Sequence, residues 1–331
     1  MAESKIPVDL FNPGQVLACL GFMELADVLL GDAEAGFDWS DAQQTEFRLS
    51  AAGDQAPVEA MLGFLADASV DRVVPLGYIE PPKKKAKEEE DDDGEDDEAD
   101  ADESSTNDAV TKQRKYSEVF PTKETDPLSL PVRLSVRGKP SVAISHWSDG
   151  SARNTFKLYS GNRSAERIAR AMLGGVREKP KKNQTQGDLK YKGLKHLWNE
   201  RRNDLVKNPF DVLTPLGGSF NFDPRGAWTA LDAGYSPNTQ RHGVASSPLV
   251  HMLAACGLEH TRPVEFGVRQ VRYCAWNGLL PVSLARVAFQ GGISSLQTRC
   301  FRFELALSGK NKIVTFAQQE KWNGRLPPRE V

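Results

Sequence analysis

The sequence predicts an α+β protein of mixed helices and antiparallel sheets, with a disordered acidic insert, and three observations predict it. Some stretches carry apolar residues at helical spacing behind helix-start signals, others alternate apolar with polar, and one strongly charged tract has neither pattern. With 331 residues and 39% hydrophobic content the chain can bury a sizeable core. The order of these stretches gives an N-terminal α+β segment over residues 1–80, the insert over 81–113 and an α+β body over 114–331.

Near the N-terminus, Asn12, Pro13 and Gln15 spell a cap, a first-turn proline and a capping-box partner. Val16, Leu17, Leu20, Met23, Val28 and Leu29 then form the apolar stripe of a helix ending near Gly31. Glu46 to Leu49 alternates as a half-buried strand does, Pro57 opens a second helix with Val58, Met61, Leu62 and Leu65 inward, and a strand is expected around Val73 to Leu76. From Pro81 to about Gln113 there is too little apolar surface to offset the entropy of ordering, so the tract is expected to be flexible. Its Lys83, Lys84, Lys85 and Lys87 mimic a nuclear import signal, a weak sign beside so much acid.

That acid also masks the charge of the rest. Glu88 to Glu103 holds 13 acidic side chains and no basic one, and taking them from the net charge of −3 leaves +10. A basic folded body suits a polyanionic partner, although opposite charges also simply keep a protein in solution.

Order resumes with Pro131 to Val136 and Ser141 to His146, read as a hairpin about Gly138. In the following stretch Trp147 is either a flat stacking surface or core, Gly161 and Asn162 turn into a helix capped by Ser164, and Arg153, Asn154, Lys157, Asn162 and Arg163 surround a helix start suited to phosphate. Arg177 to Lys207 contains ten Lys or Arg against four Asp or Glu. Its first part is expected as a basic loop in which Lys179, Lys181, Lys182, Lys190 and Lys192 touch a nucleic-acid backbone or a protein partner, and its second as a helix burying Leu194, Leu197, Trp198 and Leu205.

Between Leu213 and Pro263, glycines and prolines break the chain into turns from which Asn221, Arg225, Asn238, Gln240 and Arg241 are expected to project. A helix follows, capped by Ser247, begun by Pro248 and closed by Gly257, with Leu249, Val250, Leu253 and Ala254 as its single buried face. Val264 to Trp276 and Arg299 to Leu307 read as strands with one wet, basic face, and Phe301, Phe303, Leu305 and Leu307 read as core in preference to base-stacking surface. Pro281 starts a last helix carrying Leu284, Val287 and Ala288 and stopped at Gly291.

Four phrases of the chain, DLFNPGQVLACLGFMELAD, SHWSDGSARNTFKLYSGNRSAERIA, ALDAGYSPN and SSPLVHMLAACGLEHTRP, resemble the short large-subunit-like proteins of type I CRISPR Cascade complexes, subtype U or G. The resemblance spans most of the chain outside the acidic insert. It implies a non-enzymatic, prokaryotic subunit whose partners are guide RNA, target double-stranded DNA, the other Cascade subunits and a helicase-nuclease. Recognition of the motif beside the target and help in opening the DNA would be its tasks. A backbone-type subunit coating the guide RNA and a guide-RNA endonuclease are the alternatives.

The residues themselves offer little catalytic hardware. No GxxxxGK[ST] or GxGxxG loop appears, and His146, His196, His242, His251 and His260 include no HExxH or H-x-E…C-x-x-C pattern. His251, Cys256 and His260 have a loose metal-like spacing with no second cysteine pair, and His146, Ser148 and Asp149 are too close in sequence for a triad. No cofactor is expected. Cys19, Cys256, Cys274 and Cys300 lack CxxC spacing and are expected as buried thiols of a cytoplasmic protein. No signal sequence or membrane span is read, since no window nears about 18 consecutive apolar residues.

Overall fold

The computed structural model describes residues 1–41, 43–74, 127–148, 154–159, 163–180, 184–226, 244–308 and 311–321; the expected acidic insert lies outside them. The chain begins with β1 (Ala2–Pro7) and α1 (Pro13–Leu29). Asn12 caps α1 as expected, its Oδ1 accepting from the Gln15 N–H at 3.2 Å. Gln15 departs from a capping box, because its Oε1 accepts from the Asp9 N–H at 2.8 Å and not from the cap residue. The single apolar stripe is corrected: Pro13 to Ala26 are buried on every face, as in a helix enclosed by core, and Val28 is exposed.

Next come β2 (Glu34–Asp38), β3 (Glu46–Ala51) and α2 (Pro57–Asp67). The strand expected near 73–76 forms earlier as β4 (Ser69–Arg72), where Val70 is buried opposite Leu134; residues 75 and 76 lie outside the described residues. The hairpin forms as β5 (Val132–Ser135) and β6 (Val142–Ile144), with Gly138 at φ 79° in its turn. Ser164 Oγ accepts from the Arg167 N–H at 3.2 Å to cap α3 (Ala165–Gly174). The short strands β7 (Val176–Arg177) and β8 (Leu189–Tyr191) then pair with each other. In α4 (Leu194–Lys207), Leu194, Leu197 and Leu205 are buried, while Trp198 stays half-buried under the Arg202 guanidinium, 4.6 Å from its ring.

The strands β9 (Thr214–Pro215) and β10 (Ala245–Ser246) pair just before α5 (Pro248–His260), whose Ser247 and Pro248 start it as expected. Like α1 it is buried on all faces, and Gly257 lies inside it instead of closing it. The expected strand from Val264 to Trp276 is a hairpin, β11 (Val264–Gly267) and β12 (Gln270–Trp276), turning through Val268 and Arg269. Its wet face is corrected too, since Val271 to Trp276 are buried on both sides and Arg272 is only 7% exposed. After β13 (Leu280–Pro281), α6 (Val282–Phe289) buries Val282, Ala285, Ala288 and Phe289; of the three residues expected inward, Ala288 is buried and Leu284 and Val287 are exposed. The chain ends with β14 (Thr298–Ser308), β15 (Asn311–Val314) and β16 (Gln318–Glu320). Phe301, Phe303 and Leu305 are core; Leu307 is exposed.

The α+β class is therefore as expected, and the strand pairings join the two sides of the insert. β13 closes the N-terminal sheet in the order β1-β3-β2-β13, and β4 pairs with β5. A second sheet runs β11-β12-β14-β15, with β16 also on β14. The helices α1 and α5 pack closely, and glycine permits it: a Cβ at Gly21 would stand 2.0 Å from Leu253 O, and one at Gly257 2.5 Å from Leu17 O. One hydrophobic cluster runs from Ile6 to Ala317.

The cysteine reading is corrected for two of the four. Cys274 and Cys300 face each other across β12 and β14, with Cα atoms 4.1 Å apart, and form a disulfide. Cys19 and Cys256 are buried thiols. Register, not sequence spacing, brings the first pair together.

Candidate nucleic-acid interface

The residues expected to meet nucleic acid separate once folded. Arg153, Asn162, Lys181, Lys182, Asn238, Gln240 and Arg241 lie outside the described residues. Asn221 and Arg225 do not project as expected, and Asn154, expected beside the start of α3, is buried; all three side chains brace the fold. Asn154 is 5% exposed; its Nδ2 donates to His146 O at 2.6 Å and its Oδ1 accepts from the Phe156 and Lys157 N–H groups, both at 3.1 Å. Asn221, at φ 59°, donates through Nδ2 to Leu158 O at 3.3 Å and accepts from Ser219 Oγ at 2.8 Å. Arg225 grips the buried Asp223 carboxylate at 2.9 Å and Phe210 O at 2.8 Å. Trp147 is core, stacked on Phe220 at 4.9 Å and edge-on to Tyr159.

The other cations are at or near the surface. Arg163 is exposed and donates to Gly217 O, which ties the start of α3 to the loop after β9. Lys192 pairs with Glu200, Lys190 lies 5.5 Å from the Tyr191 ring, and Lys179 is exposed. Lys157 is half-buried, 5.7 Å from the Tyr159 ring.

Around Lys157 the chain gathers charge from distant segments. Lys312, at the start of β15, donates from Nζ to Asn154 O at 2.9 Å, and Thr155 Oγ1 donates to Glu265 on β11 at 2.8 Å. The Leu305 N–H donates to Arg269 O at 2.9 Å, so the β11–β12 turn rests on β14. Burial pushes the Lys312 ammonium below the usual lysine range; Glu265 opposes this, and Lys157 and Arg269 add to it. Lys157, Arg269 and Glu265 thus all lie close enough to act on the Lys312 ammonium. Lys312 escaped the sequence reading, although the Gly309 to Lys312 run between two alternating stretches marks a hairpin turn. Arg269 was expected on a strand face and occupies a turn at φ 59° instead.

A buried Ser246, His251 and Asp223 network has the members of a nucleophilic triad but not its direction. The Phe222 N–H donates to His251 Nδ1 at 3.0 Å, so the neutral ring carries its proton on Nε2. That nitrogen lies 3.0 Å from Ser246 Oγ, which donates to Asp223 Oδ2 at 3.1 Å. In a triad the carboxylate holds the Nδ1 proton and Nε2 accepts from the serine. Burial keeps the His251 pKa down at about 4 against the pull of Asp223. Burial raises the Asp223 pKa, but Arg225 and His251 outweigh it and hold the carboxyl below the usual range. The network locks the loop ends that precede α5. Cys256 is no better placed as a ligand or nucleophile: burial pushes its thiol up to about 12, and no metal-binding group of side chains occurs among the described residues.

Comparison of the chain with protein-family models, curated proteins and solved structures finds no match.

Proposed function

We propose that this chain is a non-enzymatic, large-subunit-like component of a type I CRISPR Cascade, working in the prokaryotic cytoplasm without a cofactor. Its partners would be the guide RNA, the target double-stranded DNA, the other Cascade subunits and the helicase-nuclease that does the cutting. The resemblance of the four quoted phrases suggests the family, and one structural observation supports the chemistry: Lys157, Arg269 and Lys312 come from three separate segments into one neighbourhood, with Glu265 beside them. Three cations beside the one carboxylate of Glu265 give this neighbourhood a positive balance that suits a polyanion. Phosphate is such a partner, and basic side chains here would hold the backbone while polar loop residues read groove edges beside the target.

The test is a photo-crosslinking residue at position 157 or 269 in the Cascade assembled on target DNA. Crosslinks to guide RNA or target DNA, from a single copy of the chain per complex, are expected. Crosslinks confined to protein would overturn the nucleic-acid assignment, and several copies per complex would overturn the large-subunit role in favour of the guide-coating one.

A further inference from the structure

In the sheet ordered β1-β3-β2-β13, the edge strand β1 pairs with β3 alone, in unbroken register from Ala2 opposite Ala51 to Pro7 opposite Glu46. Sheet edges are commonly blunted by shortness or by a bulge. Among the other edges, β13 has two residues, β16 has three, and β11 shifts register between Glu265 and Gly267; the six residues of β1 have neither device. One bond shows which of its groups face outward. The Val8 N–H donates to Thr45 O at 3.0 Å, and the hydrogen-bonded pairs of an antiparallel ladder recur at every second residue. Ala2, Ser4 and Ile6 therefore bond to β3, and Glu3, Lys5 and Pro7 turn their backbone groups to the open side. Pro7, which has no N–H, fits such a position.

Among the described residues, no hydrogen bond reaches the backbone N–H or C=O of Glu3 or Lys5 from that side. Both α2 and α4 approach β1, α2 through the Val58 N–H donating to Ser4 Oγ at 3.2 Å, yet Glu3 and Lys5 stay exposed. The charges then select what can pair here. Another β1 strand, added antiparallel, can bond only through residues 3, 5 and 7, and setting Glu3 opposite Glu3 or Lys5 opposite Lys5 would oppose like charges. A pairing centred on Ser4 instead sets Glu3 opposite the partner's Lys5 and Lys5 opposite the partner's Glu3, and each such pair exchanges both of its N–H···O bonds. Within one chain Lys5 lies opposite Arg48, a like charge whose Nε is turned to Glu3 at 2.8 Å, so the partner's Glu3 supplies Lys5 with its counter-charge.

We infer that β1 is a self-association edge, to which a second copy of this chain adds its own β1 antiparallel, centred on Ser4, joining the two N-terminal sheets into one. The contact is isologous, the same edge serving on both copies. The inference concerns the chain outside any larger assembly and does not depend on the nucleic-acid reading of the Lys157 neighbourhood.

The experiment is sedimentation equilibrium of the full chain over a concentration series, with Glu3→Lys and Lys5→Glu as separate variants and as an equimolar mixture. Both positions are exposed, and urea unfolding checks that each variant folds. The unsubstituted chain is expected to dimerise reversibly. Each variant alone opposes like charges and is expected to dimerise at least about tenfold more weakly, as reversal of two cross-strand pairs implies. The mixture is expected to dimerise again, because each strand then finds opposite charges on the other. An unsubstituted chain that stays monomeric, a single variant that dimerises as tightly as it, or a mixture that stays monomeric would each overturn the inference; the first would leave the edge to a strand of another protein.

Discussion

Neither ring nitrogen of His146 reaches hydrogen-bond geometry with a partner among the described residues, and the side chain is buried. Burial, with Arg262 adding to it, pushes its pKa down to about 3, as burial pushes that of His251 down to about 4. Both folded values lie below the ordinary 6.5, so protons bind the unfolded chain more readily. Their contribution is complete above pH 6.5 and is lost as pH falls toward 4 and 3, at about 1.4 kcal/mol per pH unit for each histidine. His146→Leu removes one such group without leaving a broken bond, so its stability is expected to fall less between pH 7 and pH 5 in urea titrations. An unchanged pH dependence would contradict the assignment. None of this was legible in the sequence, where His146 merely ends a β-rich run. Asn154 and Arg225 misled for a related reason: an amide folded back on its own turn and an arginine on a buried carboxylate look, residue by residue, like exposed donors.

Local signals were read well because their causes lie within a few residues. Asn12, Ser164 and Ser247 cap α1, α3 and α5 by bonding N–H groups three residues ahead. Gly257 was read as a helix stop because its partner, α1, is remote in sequence. Gly21→Ala carries the converse prediction. Alanine favours a helix over glycine by about 1 kcal/mol, yet its Cβ would meet Leu253 O on α5 at 2.0 Å, so a net loss of about 1–3 kcal/mol is expected from urea unfolding. A stabilised variant would show that the helices do not cross this closely. The β11–β12 turn was missed because Val268 and Arg269 lack a turn dipeptide, and the Cys274–Cys300 pair because pairing depends on register. Thiol titration of the denatured, unreduced chain is expected to find two reactive thiols, Cys19 and Cys256; four would contradict the disulfide.

At the scale of the whole molecule, the charge argument came from composition alone, since removing one acidic tract turns a chain of net −3 into a body of +10. Where that charge gathers was not legible. Segments 154–159, the β11–β12 turn and β15 meet only when β14 pairs with both β12 and β15. The account requires this meeting point to hold sugar-phosphate. Its most direct measurement is the salt dependence of target-duplex binding by the chain and by a variant combining Lys157→Gln with Arg269→Asn, the asparagine chosen because it tolerates the positive φ there. Two lost phosphate contacts should make the slope of log K against log salt shallower by about 1.8. An unchanged slope would contradict the account.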